Sequence, residues 1–350
     1  MRSQPPRLLL LLLFLCLAVM TEHWQSRASY LLKGTDYTPI MMKQHLDTWT
    51  VWLTRPAPPP PGANLFAFVP VCAPNVYRVL RPAIYAGINS LPHAKVAQML
   101  FAVLLTFVLY LALYKFGRVW FGPPVALGFV LLGVLMSVNP WNFDLTSGLM
   151  QGVLILACLF AFLHRSPLLY PAFVLLMANR EDGVIIIAVL AVLAVLDRTR
   201  RRELAPVLLG LTAIAFAYQV GAHLWLGPRP RYCPWLMIDE NLRQLSLLLR
   251  TGNLHLAVAL FFTTFAPLLT AALMDFRHKP PLVRSMVLVT VAYLAFTFVF
   301  GVILESHRNW QLIILLLPAA MWTLGGGASG AAVAAPTDAP DPPEEQPAGP

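Results

Sequence analysis

Tyr170-Pro171-Ala172-Phe173-Val174-Leu175-Leu176-Met177-Ala178 runs into Asn179-Arg180-Glu181-Asp182, and Gly183 then opens a second apolar run to Leu196. Three consecutive ionisable side chains between two apolar segments decide how the chain is read. At the centre of a bilayer each costs roughly 2.5–3.5 kcal/mol. Such a cluster sits at a water interface or lines a polar cavity. The flanking runs are short for a crossing, which needs ~20 residues. They fit either two tightly packed half-depth helices or spans buried against protein rather than lipid.

Outward from this stretch, long apolar runs recur along most of the chain. The composition is 58% hydrophobic and 12% charged, about half the charge of a soluble domain, with a mean hydropathy of +0.67. The runs predict an all-α, polytopic transmembrane helical bundle of about ten spans, at 8–21, 96–114, 120–138, 146–163, 167–178, 184–196, 204–226, 254–274, 283–304 and 310–325. They are too long and too continuously apolar for barrel strands. The net charge of +9 does not point to nucleic acid, because Lys and Arg gather in connections as topology signals.

Alternate connections separate by charge. Arg2/Arg7, Lys115/Arg118, Arg165, Arg198/Arg200/Arg201/Arg202 and Arg277/Lys279/Arg284 belong on the cytoplasmic side. Segment 22–95, Asn139–Asp144, Asn179–Asp182, segment 227–253 and Glu305–Trp310 fall outside. This predicts a multi-pass protein of the cytoplasmic (inner) membrane with both termini in the cytoplasm. It also moves the Asn179–Asp182 cluster from mid-membrane to an outer helix junction. Arg2 and Arg7 before a short apolar run resemble a signal peptide, but Leu17-Ala18-Val19-Met20-Thr21 is a poor cleavage site, which favours a retained signal-anchor. Residues 1–325 form the membrane domain. The Ala/Pro/Gly-rich tail 326–350 cannot bury a core and is expected to be disordered. No glycine-rich phosphate loop precedes a helix.

Cys16 and Cys158 lie in expected spans, as small core residues. Cys72 and Cys233 both fall in outer connections, where an oxidising exterior permits a disulfide or leaves two unrelated thiols.

The outer face receives most of the unusual polar groups. Segment 22–95 is too long for a connector and should carry structure of its own. Its part Val76–Tyr85 suits an interfacial helix with Arg78 and Arg81 three apart on one face; those arginines either snorkel to headgroups or capture a lipid-linked phosphate. Asn179 or Asp182 suits a helix cap, which leaves Arg180 and Glu181 to explain. Gln151, inside the fourth span, should hydrogen-bond a neighbouring helix. Glu305 and Arg308 could pair locally or reach Arg180 and Glu181 across the bundle. Trp310 fits an aromatic belt. Asp239-Glu240 is a weak metal candidate.

Four elements together resemble the GT-C superfamily of polytopic glycosyltransferases. They are a first span followed by an acidic outer loop with Asp36 and Asp47, Tyr77-Arg78-Val79-Leu80-Arg81-Pro82, Asn179-Arg180-Glu181, and Glu305 to Asn309. The resemblance implies transfer of a sugar from a polyprenyl-phosphate-linked donor at the extracytoplasmic face, with membrane lipid and the lipid-linked sugar as partners. It implies a carboxylate that deprotonates or orients the acceptor hydroxyl, with Asp36 first and Asp47 and Glu22 behind it. Cations would stabilise the departing phosphate, from Arg78, Arg81, Arg180 and Arg308. Glu181 and Glu305 would orient those arginines or contact the sugar, with Glu181 also among the catalytic carboxylates. No Asp-x-Asp or Asp-Glu pair follows the first span, which argues against a divalent metal, and no other cofactor is expected. Two other readings share the architecture: a transporter of a lipid-linked glycan, and a structural subunit whose outer loops bind a partner.

Overall fold

The computed structural model describes residues 7–33, 38–54, 78–137, 145–226, 242–243, 246, 249–250, 266–300 and 309–324. Every regular element among them is helical, as expected. The chain runs through α1 (Arg7–Lys33), α2 (Thr38–Thr54), α3 (Leu80–Asn89), α4 (Ala94–Gly117), α5 (Pro123–Ser137), α6 (Leu145–Leu163), α7 (Leu169–Asn179), α8 (Ile185–Leu196), α9 (Arg201–Leu226), α10 (Pro281–Phe300) and α11 (Asn309–Leu324). Residues 266–273 form a further helical piece. Prolines open α5 and α10, where a missing N–H breaks no bond.

The apolar helices mark a membrane protein. Three are long and apolar enough to cross a membrane, at Arg7–Trp24, Ala94–Gly117 and Arg198–Leu226. Shorter apolar helices lie at Pro123–Leu135, Gly148–Leu163, Leu169–Asn179, Pro281–Phe296 and Trp310–Leu324. The long connection after the first span does carry structure: α1 runs on to Lys33, and α2 and α3 follow.

Helix ends are tied by named contacts. Phe121, between α4 and α5, packs on Trp322 near the end of α11, with ring centroids 5.9 Å apart. The Arg200 guanidinium lies 5.6 Å from the Phe162 ring centroid, and Arg165 pairs with Glu203 at 3.5 Å. Lys279 Nζ donates to Thr323 Oγ1 at 2.9 Å and to the Met274 carbonyl. The basic connections therefore gather at one end of the bundle.

α7 leaves that end and α8 returns to it. At a rise of about 1.5 Å per residue they reach about 16 and 18 Å, against a hydrocarbon core of ~30 Å. They are shorter than the helices long enough to cross a membrane, and the turn joins their far ends. Arg180, extended at φ −158° and ψ 141°, ends α7. Gly183 then lets the turn fold down on it, since a Cβ there would meet Leu176 Cγ at 2.8 Å.

The cluster lies short of the ends of the neighbouring helices. The same rise puts Gln151 about 9 Å inside the start of α6, Tyr293 about 10 Å short of the end of α10, and Tyr218 about 12 Å short of the end of α9. Those three side chains all meet the turn residues or their neighbours. α6, α9 and α10 therefore continue past the α7–α8 tip.

The core is continuous. Phe14, Ala18, Leu109, Phe129, Leu156, Phe173, Ile186, Leu190 and Leu315 have no exposed surface. α1 belongs to it through Phe14 and Ala18, and the Thr21 hydroxyl is hydrogen-bonded to that of Tyr110 on α4 at 2.8 Å. Cys158 is buried as expected, whereas Cys16 is exposed on the outer surface of α1. Cys72 and Cys233 lie outside the described residues, as do Asp239, Glu240 and the tail 326–350.

Gly183→Ala is expected to destabilise the protein by about 1–3 kcal/mol, the range for overpacking a filled site. Thermal unfolding in detergent measures it, and an unchanged midpoint would refute the tight fold-back of the tip.

Candidate functional site

The α7–α8 tip is polar because each of its side chains takes a partner from a different helix. Asp182, 10% exposed, accepts on Oδ1 from Gln151 Nε2 of α6 at 2.9 Å. Its Oδ2 accepts from Arg180 Nη2 at 2.9 Å, from the Tyr293 hydroxyl of α10 at 3.0 Å, and from Gln311 Nε2 of α11 at 3.1 Å. Gln311 Nε2 also donates to the Tyr293 hydroxyl. Asn179 Nδ2 donates to Gln151 Oε1 at 2.7 Å. One carboxylate thus holds four helical segments together. Buried Asn179 Oδ1, Arg180 Nε, Trp310 Nε1 and Gln311 Oε1 keep hydrogen-bonding capacity beyond these contacts.

Several expectations are corrected here. Neither Asn179 nor Asp182 caps a helix; the turn and α8 begin without a side-chain cap. Asp182 is taken up instead by side-chain donors of other segments, and Asn179 donates to Gln151. Trp310 is 1% exposed and belongs to the core, not to an interfacial belt. The expectation for Gln151 holds, with two neighbouring elements as partners.

Glu181 points the other way. Its carboxylate receives Arg78 Nε at 2.8 Å and Nη2 at 2.5 Å, a two-pronged pair. The two side chains are 15% and 33% exposed for Arg78 and Glu181. Burial pushes the Glu181 carboxyl up, but the charge and hydrogen bonds of Arg78 and the charge of Arg180 outweigh it and bring it down to about 2. A carboxylate held so low is a weak proton acceptor. Its geometry is that of a group orienting an arginine. Tyr218 of α9 lies against the Val79 backbone and close to Glu181.

Arg78 precedes α3 and Arg81 lies in its first turn, 5% exposed. Neither snorkels: one is paired and the other is buried. α3 packs down beside α4, with Tyr85 and Phe101 rings 6.2 Å apart at 76°, and Tyr85 also stacks on His45 of α2 at 4.8 Å. Arg78, Arg180 and Glu181 therefore meet at one helix junction, with Arg81 three residues further along α3. Asp47 is exposed on α2. Glu22 accepts from Thr106 Oγ1 of α4 at 2.6 Å, within the first helix. Asp36, Glu305 and Arg308 lie outside the described residues. Asp182 is the residue that motif reading passed over, and only its position between two apolar runs could have marked it. Among the described residues no group of three or more His, Cys, Asp or Glu could hold a metal ion.

No family model, curated protein or solved structure matches the chain.

Removing one partner of the inner pair should destabilise far more than removing both. Asp182→Leu leaves Arg180 buried without its carboxylate and is expected to cost about 3–5 kcal/mol. The Arg180→Leu/Asp182→Leu double variant should recover much of that, in unfolding measured in detergent; a double variant no better than the single would refute the charge argument. The outer pair predicts an acid dependence. The Glu181 carboxyl is lower in the folded protein than its ordinary 4.5, so its contribution is complete above about pH 4.5 and is lost as pH falls toward 2. Wild type should lose more stability than Glu181→Gln across that window, and parallel curves would contradict the pair.

Proposed function

We propose that this protein transfers a sugar from a polyprenyl-phosphate-linked donor to an acceptor at the extracytoplasmic face of the cytoplasmic membrane. The observation that carries the reading is the meeting of Arg78 and Arg180 with Glu181 at one junction, away from the basic connections, with Arg81 at the same helix entry. Arginine presents a planar fork that matches phosphate oxygens. The neighbouring helices are apolar and lipid-facing on α4 and α9, where Met99, Leu100, Leu104, Phe216 and Leu224 are exposed, so a prenyl chain could lie beside the junction.

In this reading eight of the ten apolar segments cross the membrane, α7 and α8 enter and return as a pair, and both termini are cytoplasmic. Arg78 and Arg81 take the phosphate and stabilise it as it departs. Arg180, neutralised by Asp182, supports the floor of the site. Asp36 remains the first candidate for the carboxylate that accepts the acceptor proton, with Asp47 behind it, and Glu305 and Arg308 would complete the outer rim. No metal is invoked.

One observation favours a second reading. Paired half-length helices with charged residues at their tip are a feature of transporters, whose sites lie near the midplane. A lipid-linked glycan transporter would use the same arginines without breaking a bond.

The experiment is a transfer assay in proteoliposomes with a polyprenyl-phosphate sugar donor. Arg78→Ala is expected to lower transfer at least a hundredfold while insertion and folding persist. Donor movement across the bilayer without any transfer product in the wild type would favour the transporter; full transfer in Arg78→Ala would remove the proposed site.

A further inference from the structure

The two acid–base pairs at the α7–α8 tip are built differently. Asp182 is held by donors from three helices besides Arg180, and its ion pair is almost wholly buried, at 2% and 10% exposure. Both Glu181 oxygens instead accept from one side chain, Arg78, with a backbone hydrogen bond and the charge of Arg180 besides, and this pair is the more exposed of the two. Arg78 stands just before α3, outside any helix. An inner pair of this kind cannot open without unsatisfying several buried groups. The outer pair can exchange while leaving fewer buried groups unsatisfied, because Arg78 is the one side chain donating to this carboxylate among the described residues.

We infer that Arg78–Glu181 is an exchangeable pair, in which a singly charged phosphate ester takes the two guanidinium positions now filled by the Glu181 carboxylate. The inference deepens the reading above and rests on it for the identity of the ligand. The geometry is compatible because a carboxylate and a phosphate offer the same two-oxygen edge to the arginine fork. Arg81 lies three residues along at the same helix entry. Arg180, close enough to act on Glu181, keeps a counter-charge beside the carboxylate after it is displaced.

Exchange has a consequence for the site. Glu181 moves from orienting Arg78 to standing free beside the bound headgroup, where it can accept a hydrogen bond from a hydroxyl. The ligand's own charge would make this carboxylate available, so binding and release of an acceptor are coupled. Glu181 is thus an internal competitor for Arg78 in one state and a polar contact in the other. Charge selects the ligand class: a neutral ester would have nothing to offer Arg78 in place of the carboxylate.

The test uses the full-length protein in detergent and dibutyl phosphate, a singly charged diester, with neutral tributyl phosphate as control. Binding is measured by calorimetry or ligand-detected NMR. Glu181→Gln, which keeps shape and removes the competing charge, is expected to bind dibutyl phosphate about tenfold tighter than wild type, and Arg78→Ala to lose binding. Tributyl phosphate should not bind any of the three. Equal or weaker binding by Glu181→Gln overturns the exchange, as does retained binding by Arg78→Ala. If Arg78→Ala loses sugar transfer while Glu181→Gln leaves dibutyl phosphate affinity unchanged, exchange fails and the transferase reading stands. If exchange is observed but wild type transfers no sugar, the anion site stands and the transferase reading fails.

Discussion

The carboxylate of Asp182 is the constraint on which the membrane bundle depends. A negative charge set among apolar helices is tolerated only where donors surround it. Here they come from Gln151, Arg180, Tyr293 and Gln311. Those residues belong to α6, the α7–α8 tip, α10 and α11, so satisfying one charge specifies the mutual register of four segments. Apolar packing between helices in lipid is weakly directional, because lipid tails are as apolar as leucine. A saturated polar node supplies the direction that such packing lacks.

From that node the site follows. Asp182 faces inward, so its neighbour Glu181, one residue back in a tight turn, faces outward and meets Arg78. The entry to α3 is thereby held at the tip, with Arg81 in the next turn and Tyr85 lodged between His45 and Phe101. One turn of four residues accordingly has a structural side and a chemical side. The short length of α7 and α8 is what sets that turn below the ends of α6, α9 and α10.

Much was legible beforehand, and for physical reasons. Hydrophobic content and run length required helices in a membrane, because backbone groups in lipid must be satisfied within the segment. The short runs beside Asn179–Asp182 already allowed half-depth helices, and Gln151 was readable as an interhelical hydrogen-bonder. The caps were misread. Asn179 and Asp182 carry the residue types of a helix start, but residue type says nothing about which donors from distant segments will compete for the side chain. Trp310 and Cys16 were misplaced for a similar reason: a helix face is turned toward protein or lipid by its neighbours, not by its own composition.

Sequence by itself determined the class of solvent, the helical architecture, the end of the bundle where basic connections gather, and the short list of charged residues at helix junctions. These follow from local composition and from segment length measured against a bilayer. Tertiary structure alone decided which acid holds which base, Asp182 with Arg180 inside and Glu181 with Arg78 outside. It also decided how deep they lie. Pairing and depth depend on contacts between residues as far apart as Asp182 and Gln311, and no local pattern along a chain encodes a distance across a bundle.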